Sequence, residues 1–143
     1  MNKGVGTFLE NQGVEYVMKR FFILLGIAIS LSSFGFFNGI DEIVSALKSG
    51  NVSELTKYLD NTVEITLPEK SNSYSKSQAE VILRDFFYSN PIKGFNVIHK
   101  GENAGSQYCI GTLMTKNTQY RTTIFMKQKG SRQTLQEIRF ENR

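Results

Sequence analysis

The sequence predicts an α+β domain, with elements in the order α-α-β-α-β-β-β-β. Three observations carry this. Before Pro91 the apolar residues recur mostly at helical spacing, and after it they alternate with a period of two. The strand-like segments after Pro91 are joined by short turn-like links, which implies an antiparallel meander. The helical segments carry their own start and stop signals.

The first element is "NGIDEIVSALKSGN", where Ile40, Ile43, Val44 and Leu47 fall on one helical face. Asp41 and Glu42 suit its first turn, Lys48 its last, and Gly50 its stop. "NVSELTKYLDN" reads as a second short helix, capped by Asn51 with Glu54, its apolar face being Val52, Leu55 and Leu59. In "TVEITLPE", Val63, Ile65 and Leu67 alternate with Thr62, Glu64 and Thr66, a half-buried strand ended by Pro68. "KSNSYS" reads as a polar turn. Ser75, with Gln78 at the capping-box position, then starts the helix "KSQAEVILRDFFYSN", which points Ala79, Ile82, Leu83, Phe86 and Phe87 inward and stops at Asn90-Pro91. The four strands are "GFNVIHK", "SQYCIGTLMTK", "QYRTTIFMKQK" and "TLQEIRFEN", separated by "GENAG", "NT" and "GSRQ".

Ahead of these lies "MKRFFILLGIAISLSSFGFF", Met18 to Phe37. Lys19 and Arg20 form a short cationic region, Phe21–Leu31 an apolar one, and Ser33-Phe34-Gly35 a small-x-small triplet. That is the pattern of a secretory signal over residues 18–35, cleaved after Gly35. The alternative is an uncleaved anchor over residues 21–37, near the lower length limit for a spanning helix. A core helix fits poorly, because no polar face exists. Both favoured readings place everything after Phe37 outside the cytoplasm, periplasmic or secreted, with membrane contact only through an uncleaved N-terminal segment. Signals begin at the initiator, so Met18 is the expected start and residues 1–17 a non-native or disordered extension. The folded domain is then expected over residues 38–143, long enough to bury a core without staples.

The chain has 17 Lys and Arg against 13 Asp and Glu, a net charge of +4. The signs are interspersed along the sequence, which argues against a nucleic-acid stripe. With one cysteine, Cys109, and one histidine, His99, neither an internal disulfide nor a Cys- or His-based metal site is expected. No phosphate loop, nucleotide-binding glycine fingerprint or zinc spacing appears, so no cofactor is expected.

"IVSALKSGNVSELTKYLDNTVEITLPE", followed by "SKSQAEVILRDFFYSNP" ahead of the long hairpin, resembles the nuclear transport factor 2-like, or cystatin-like cone, superfamily. That fold is shared with ketosteroid isomerase and scytalone dehydratase. With the export signal, the pattern is similar to small exported bacterial domains of unknown function. The resemblance covers about residues 38–143. It implies three N-terminal helices packed on a curved antiparallel sheet, a pocket at the wide end of the cone, and a homodimer through the sheet. Enzymes of the superfamily place an acid or histidine base and a tyrosine or acid donor in that pocket. No residue here matches those positions one by one.

Three residues are the candidates for a pocket. His99 lies in phase with Phe95 and Val97, and a histidine in the cone is a natural general base; otherwise it is a rim residue beside the turn at Gly101. Tyr108 shares a face with Ile110, Thr112 and Met114, where it either donates to an oxyanion or packs its ring. Arg121 shares a face with Thr123 and Phe125, and either binds a carboxylate or joins a cross-strand ion pair. Cys109 reads as a small core residue. Asp60, at the end of a helix, and Glu64, on a strand, are not expected to form a carboxylate pair. Two functions follow. The first is a non-enzymatic domain binding a small molecule or a protein through the cone pocket or sheet face. The alternative is a small lyase or isomerase of the ketosteroid isomerase type, using a pocket His or Tyr.

Overall fold

The computed structural model describes residues 39–143. The expected extension 1–17, the signal with its cleavage point after Gly35, and the anchor alternative 21–37 lie outside the described residues. Helix α1 (Gly39–Ser49) buries the predicted face, and Gly50, at φ +67°, ends it. Helix α2 (Val52–Thr56) is capped by the Asn51 side chain, which accepts from the Glu54 N–H at 3.2 Å. It stops earlier than its composition suggests. Leu59 belongs to strand β1 (Leu59–Leu67), not to a helical face, because parallel pairing with the last strand extends β1 backwards.

"KSNSYS" is a strand, not a turn: β2 (Lys70–Ser75) folds back on β1 across Pro68-Glu69, with Leu67 facing Lys70 and Thr62 facing Ser75. It is an exposed edge strand, which explains its missing hydrophobic pattern. Helix α3 (Lys76–Ser89) starts with the expected capping box between Ser75 and Gln78. It buries Ala79, Leu83, Phe86 and Phe87, with Ile82 half-buried.

Strands β3 (Ile92–Asn103), β4 (Ser106–Thr115), β5 (Gln119–Lys129) and β6 (Arg132–Asn142) form the antiparallel meander. The six strands run in the order β2-β1-β6-β5-β4-β3, and β1 joins β6 in parallel. The fold is therefore α+β, with three helices among the described residues packed against one sheet. The helices cover the face bearing Phe95, Cys109, Leu113, Ile124, Ile138 and Phe140, all buried.

Where β1 and β6 slip register, Asp60 is held in place. There β1 has four residues, Asp60 to Val63, against the single Gln136, which is also the extra residue where β6 slips against β5, and the Gln136 Nε2 donates to Asp60 Oδ2 at 2.6 Å. Lys129 pairs with the same oxygen, and the Asn61 N–H donates to Oδ1 at 2.8 Å. Asp60 is thus on a strand rather than at a helix end. The Lys129 hydrogen bond, opposed by burial and helped by Gln136, holds its carboxyl below the usual range. A lowered pKa means the stabilisation is complete above about pH 4 and is lost as pH falls through the folded-state value. Asp60→Asn is expected to remove about 1–2 kcal/mol at neutral pH and to flatten the acid limb of the stability curve. Urea unfolding at neutral and acid pH measures both.

Candidate functional site

The face of the sheet opposite the helices carries His99, Tyr108 and Arg121, and cross-strand register places all three there. Tyr108 faces Phe125, Ile110 faces Thr123, and Thr112 faces Arg121, so these side chains share one side. Cys109, Leu113 and Ile124 occupy the other.

His99 reaches this face through an irregularity. Phe95 pairs with Leu113 and Val97 with Gly111, both on the helix side, but His99 pairs with Ile110. Ile98 is the extra residue of a β-bulge, and one extra residue flips the side chains that follow it. His99 is therefore out of phase with Phe95 and Val97, contrary to the alternation in the sequence. The bulged Ile98 is 61% exposed on an edge strand, where bulges discourage further pairing.

His99 and Tyr108 meet. The His99 Nε2 and the Tyr108 hydroxyl lie 2.9 Å apart, with ring centroids separated by 5.5 Å. Gly101, directly opposite Tyr108, makes this possible: a Cβ there would lie 2.3 Å from the phenol ring. The hydroxyl end of the ring lies over the glycine and reaches the histidine diagonally. Gly101→Ala is expected to lift the ring and abolish the His99–Tyr108 contact, with a stability cost of about 1 kcal/mol. Ring-to-ring NOEs between the two residues would vanish.

Arg121 stands opposite both Thr112 and Glu141. It forms no ion pair among the described residues; the cross-strand ion pair here joins Lys129 to Asp60, at another corner of the sheet. Instead Arg143 Nη1 donates to Thr112 Oγ1 at 3.1 Å, bringing the C-terminal residue over this face. The half-buried Ile110, Met114 and Phe125 fill the space between these polar groups. Among the described residues no helix covers the face, and none of the described cavities is lined by His99, Tyr108 or Arg121.

The helix side holds less reactive groups. Cys109 is fully buried, and burial pushes its thiol up to about 11, so it stays a neutral core residue. A polar hollow of about 290 Å³ between α1 and β3 is spanned by Lys100 and Asp41, paired at 2.7 Å. Both partners are near half exposed, so the pair contributes little to stability. No group of three potential metal ligands occurs among the described residues.

The comparisons decide the family. The model of a domain of unknown function, DUF4783, matches residues 40–141. A DUF4783 family protein from Bacteroides uniformis is 32% identical, with a TM-score of 0.71 over 74% of this chain and 98% of that one. One from Bacteroides fragilis is 35% identical, with a TM-score of 0.67 over 71% and 96%. The chain belongs to the DUF4783 family.

Beyond it, a nuclear transport factor 2-like protein of unknown function from Cytophaga hutchinsonii matches the fold at 10% identity, with a TM-score of 0.53 over 73% of this chain and 87% of that one. The resemblance to the nuclear transport factor 2-like superfamily therefore holds for the fold. No curated protein shows significant similarity to the chain. The Bacteroides uniformis crystal structure is almost wholly this domain, so a DUF4783 domain folds without the residues ahead of it.

Sequence reasoning missed Gly101, Asn90 and Tyr120 as positioning residues. Gly101 and Asn90 carried only turn and helix-stop signals. The bond from the Tyr120 hydroxyl to Asn90 Oδ1, at 2.9 Å, spans thirty positions.

Proposed function

We propose that this DUF4783 domain is an exported, non-enzymatic binding domain whose open sheet face receives a protein partner, in the first instance a second copy of itself. The observation that carries the reading is the placement of His99, Tyr108 and Arg121. They lie with Ile110 and Phe125 on one sheet face that, among the described residues, no helix covers, and they line none of the described cavities. A face with a half-buried apolar centre and a polar surround has the composition of an interface. Catalysis of the isomerase type needs a base and a donor aimed at a shared substrate atom. Here the one histidine and its neighbouring tyrosine are hydrogen-bonded to each other.

The test is sedimentation velocity on residues 38–143 over a wide concentration range. The expected result is a reversible dimer. Phe125→Glu should weaken it by roughly 30-fold or more while leaving the thermal melt within a few degrees. A chain that stays monomeric at the highest concentration overturns this reading. Export, motivated by the Met18–Phe37 pattern, is tested separately by N-terminal sequencing of the protein from its host. The expected first residue is Phe36, and recovery of Met1 from the cytosol sinks the claim.

A further inference from the structure

We propose that a cavity on the helix side of the sheet, at the C-terminal end of α3, is a small-molecule site. Its ligand is a neutral planar ring carrying an adjacent hydrogen-bond donor and acceptor, as in a lactam. This goes beyond the sheet-face reading, because Tyr120 belongs to the opposite face from Tyr108 and Arg121.

The cavity measures about 440 Å³ and lies between the β1–β2 hairpin, α3 and the start of β5. Its size falls within the range of ligand pockets. Leu67 and Pro68 form an apolar wall, and Phe86 and Tyr120, with ring centroids 5.3 Å apart and planes inclined by 59°, form an aromatic cleft. A flat ring can lie against one of the two and meet the other edge-on, the geometry aromatic pairs favour.

The polar groups set the ligand's other half. The Tyr120 hydroxyl donates to Asn90 Oδ1 at 2.9 Å, and Asn90 Nδ2 donates to the Phe86 carbonyl at 2.9 Å. A primary amide has two N–H groups and a carbonyl with two lone pairs, and a phenol oxygen can also accept. After these two bonds, Asn90 retains one N–H and one carbonyl lone pair, and Tyr120 retains its acceptor lone pairs. The pair therefore offers a donor beside acceptors, complementary to a lactam edge. Capping α3 accounts for the Asn90–Phe86 bond but makes no use of the Tyr120 hydroxyl. At the rim Glu69 and Lys70 carry opposite charges, so the site favours no ionic ligand.

The probe is 2-pyridone, whose N–H and C=O are adjacent on one ring, with 1-methyl-2-pyridone as the control lacking the donor. Each is titrated into isotope-labelled residues 38–143 and followed by NMR. Saturable shifts at the Asn90 side-chain amide and the Phe86 and Tyr120 rings are expected, with the methylated probe about 5–10-fold weaker. Tyr120→Phe, which keeps the ring, should weaken 2-pyridone by a similar factor. Should that variant not fold, the comparison of the two probes on the unaltered domain still decides. No saturable shift at these residues, or equal binding of both probes, overturns the proposal. Dimerisation through the sheet face is unaffected by either outcome.

Discussion

Phe140→Ala is expected to cost the domain about 3–5 kcal/mol and lower its melting temperature by more than about 12 °C. Phe140 is fully buried on β6. Its ring stacks on Phe86 with centroids 4.4 Å apart and planes inclined by 26°. Phe87 meets it nearly edge-on, at 6.0 Å and 76°. The residue thus fastens α3 to the sheet through two aromatic contacts at once. Truncation would empty a space bounded by a rigid helix and a rigid sheet, and neither can collapse into it cheaply. Phe140→Leu, which retains most of the volume, should cost about 1–2 kcal/mol. Urea unfolding of both variants, with an unchanged slope, measures the difference. A loss below about 1 kcal/mol for the alanine variant would mean that the cluster repacks, and the tethering role would be wrong. The same cluster supports the aromatic cleft of the cavity beside Asn90 through Phe86. Phe140→Ala should therefore weaken 2-pyridone binding as well, although Phe140 does not line that cavity.

Features set by local chemistry were legible in the sequence. The Ser75–Gln78 capping box is a contact between neighbours in the chain, and it forms as the residues imply. Strand β5 has the limits its alternation gives, Gln119–Lys129. Features set by pairing were not legible. The residues of β2 are polar and without period, and only their hydrogen bonds to β1 make them a strand. In "GFNVIHK" the only mark of the bulge is that apolar Ile98 follows Val97 directly, which breaks the alternation without saying which way the next side chains turn. The bulge itself exists only as a slip against β4. That slip decided the candidate site, because it moves His99 from the helix face to the open one. His99, Tyr108 and Arg121 were each identifiable as chemistry-bearing residues. The direction they point depends on register, which a single strand does not encode. Asp60 shows the same division. Its charge is plain in the sequence, but Lys129 and Gln136 are distant in the chain and arrive through β5 and β6.

Gly111→Ala is expected to destabilise the domain by about 2–3 kcal/mol, through overcrowding rather than lost contact. Gly111 lies on β4 facing Val97, at the start of the β3 bulge. A Cβ at this position would come within 2.3 Å of the Phe95 ring and 2.7 Å of the Asn96 carbonyl oxygen. The ring has no room to turn aside, because Phe95 is 3% exposed and packed in the core. The carbonyl belongs to the β3 backbone and moves only with the strand. The added methyl therefore pushes β3 from β4 at the point where the bulge sets the phase of His99. Two measurements separate this from ordinary overpacking. Hydrogen exchange should accelerate selectively at the β3 and β4 amides around the bulge, ahead of β5 and β6. The NOEs between His99 and Tyr108 should weaken, although neither residue touches Gly111 in the register. Uniform loss of protection, with those NOEs intact, would mean that the bulge is held from elsewhere. Phe95→Leu combined with Gly111→Ala gives the matching rescue. If the ring is the main obstacle, the pair should be more stable than Gly111→Ala alone; if the Asn96 carbonyl is, it should not.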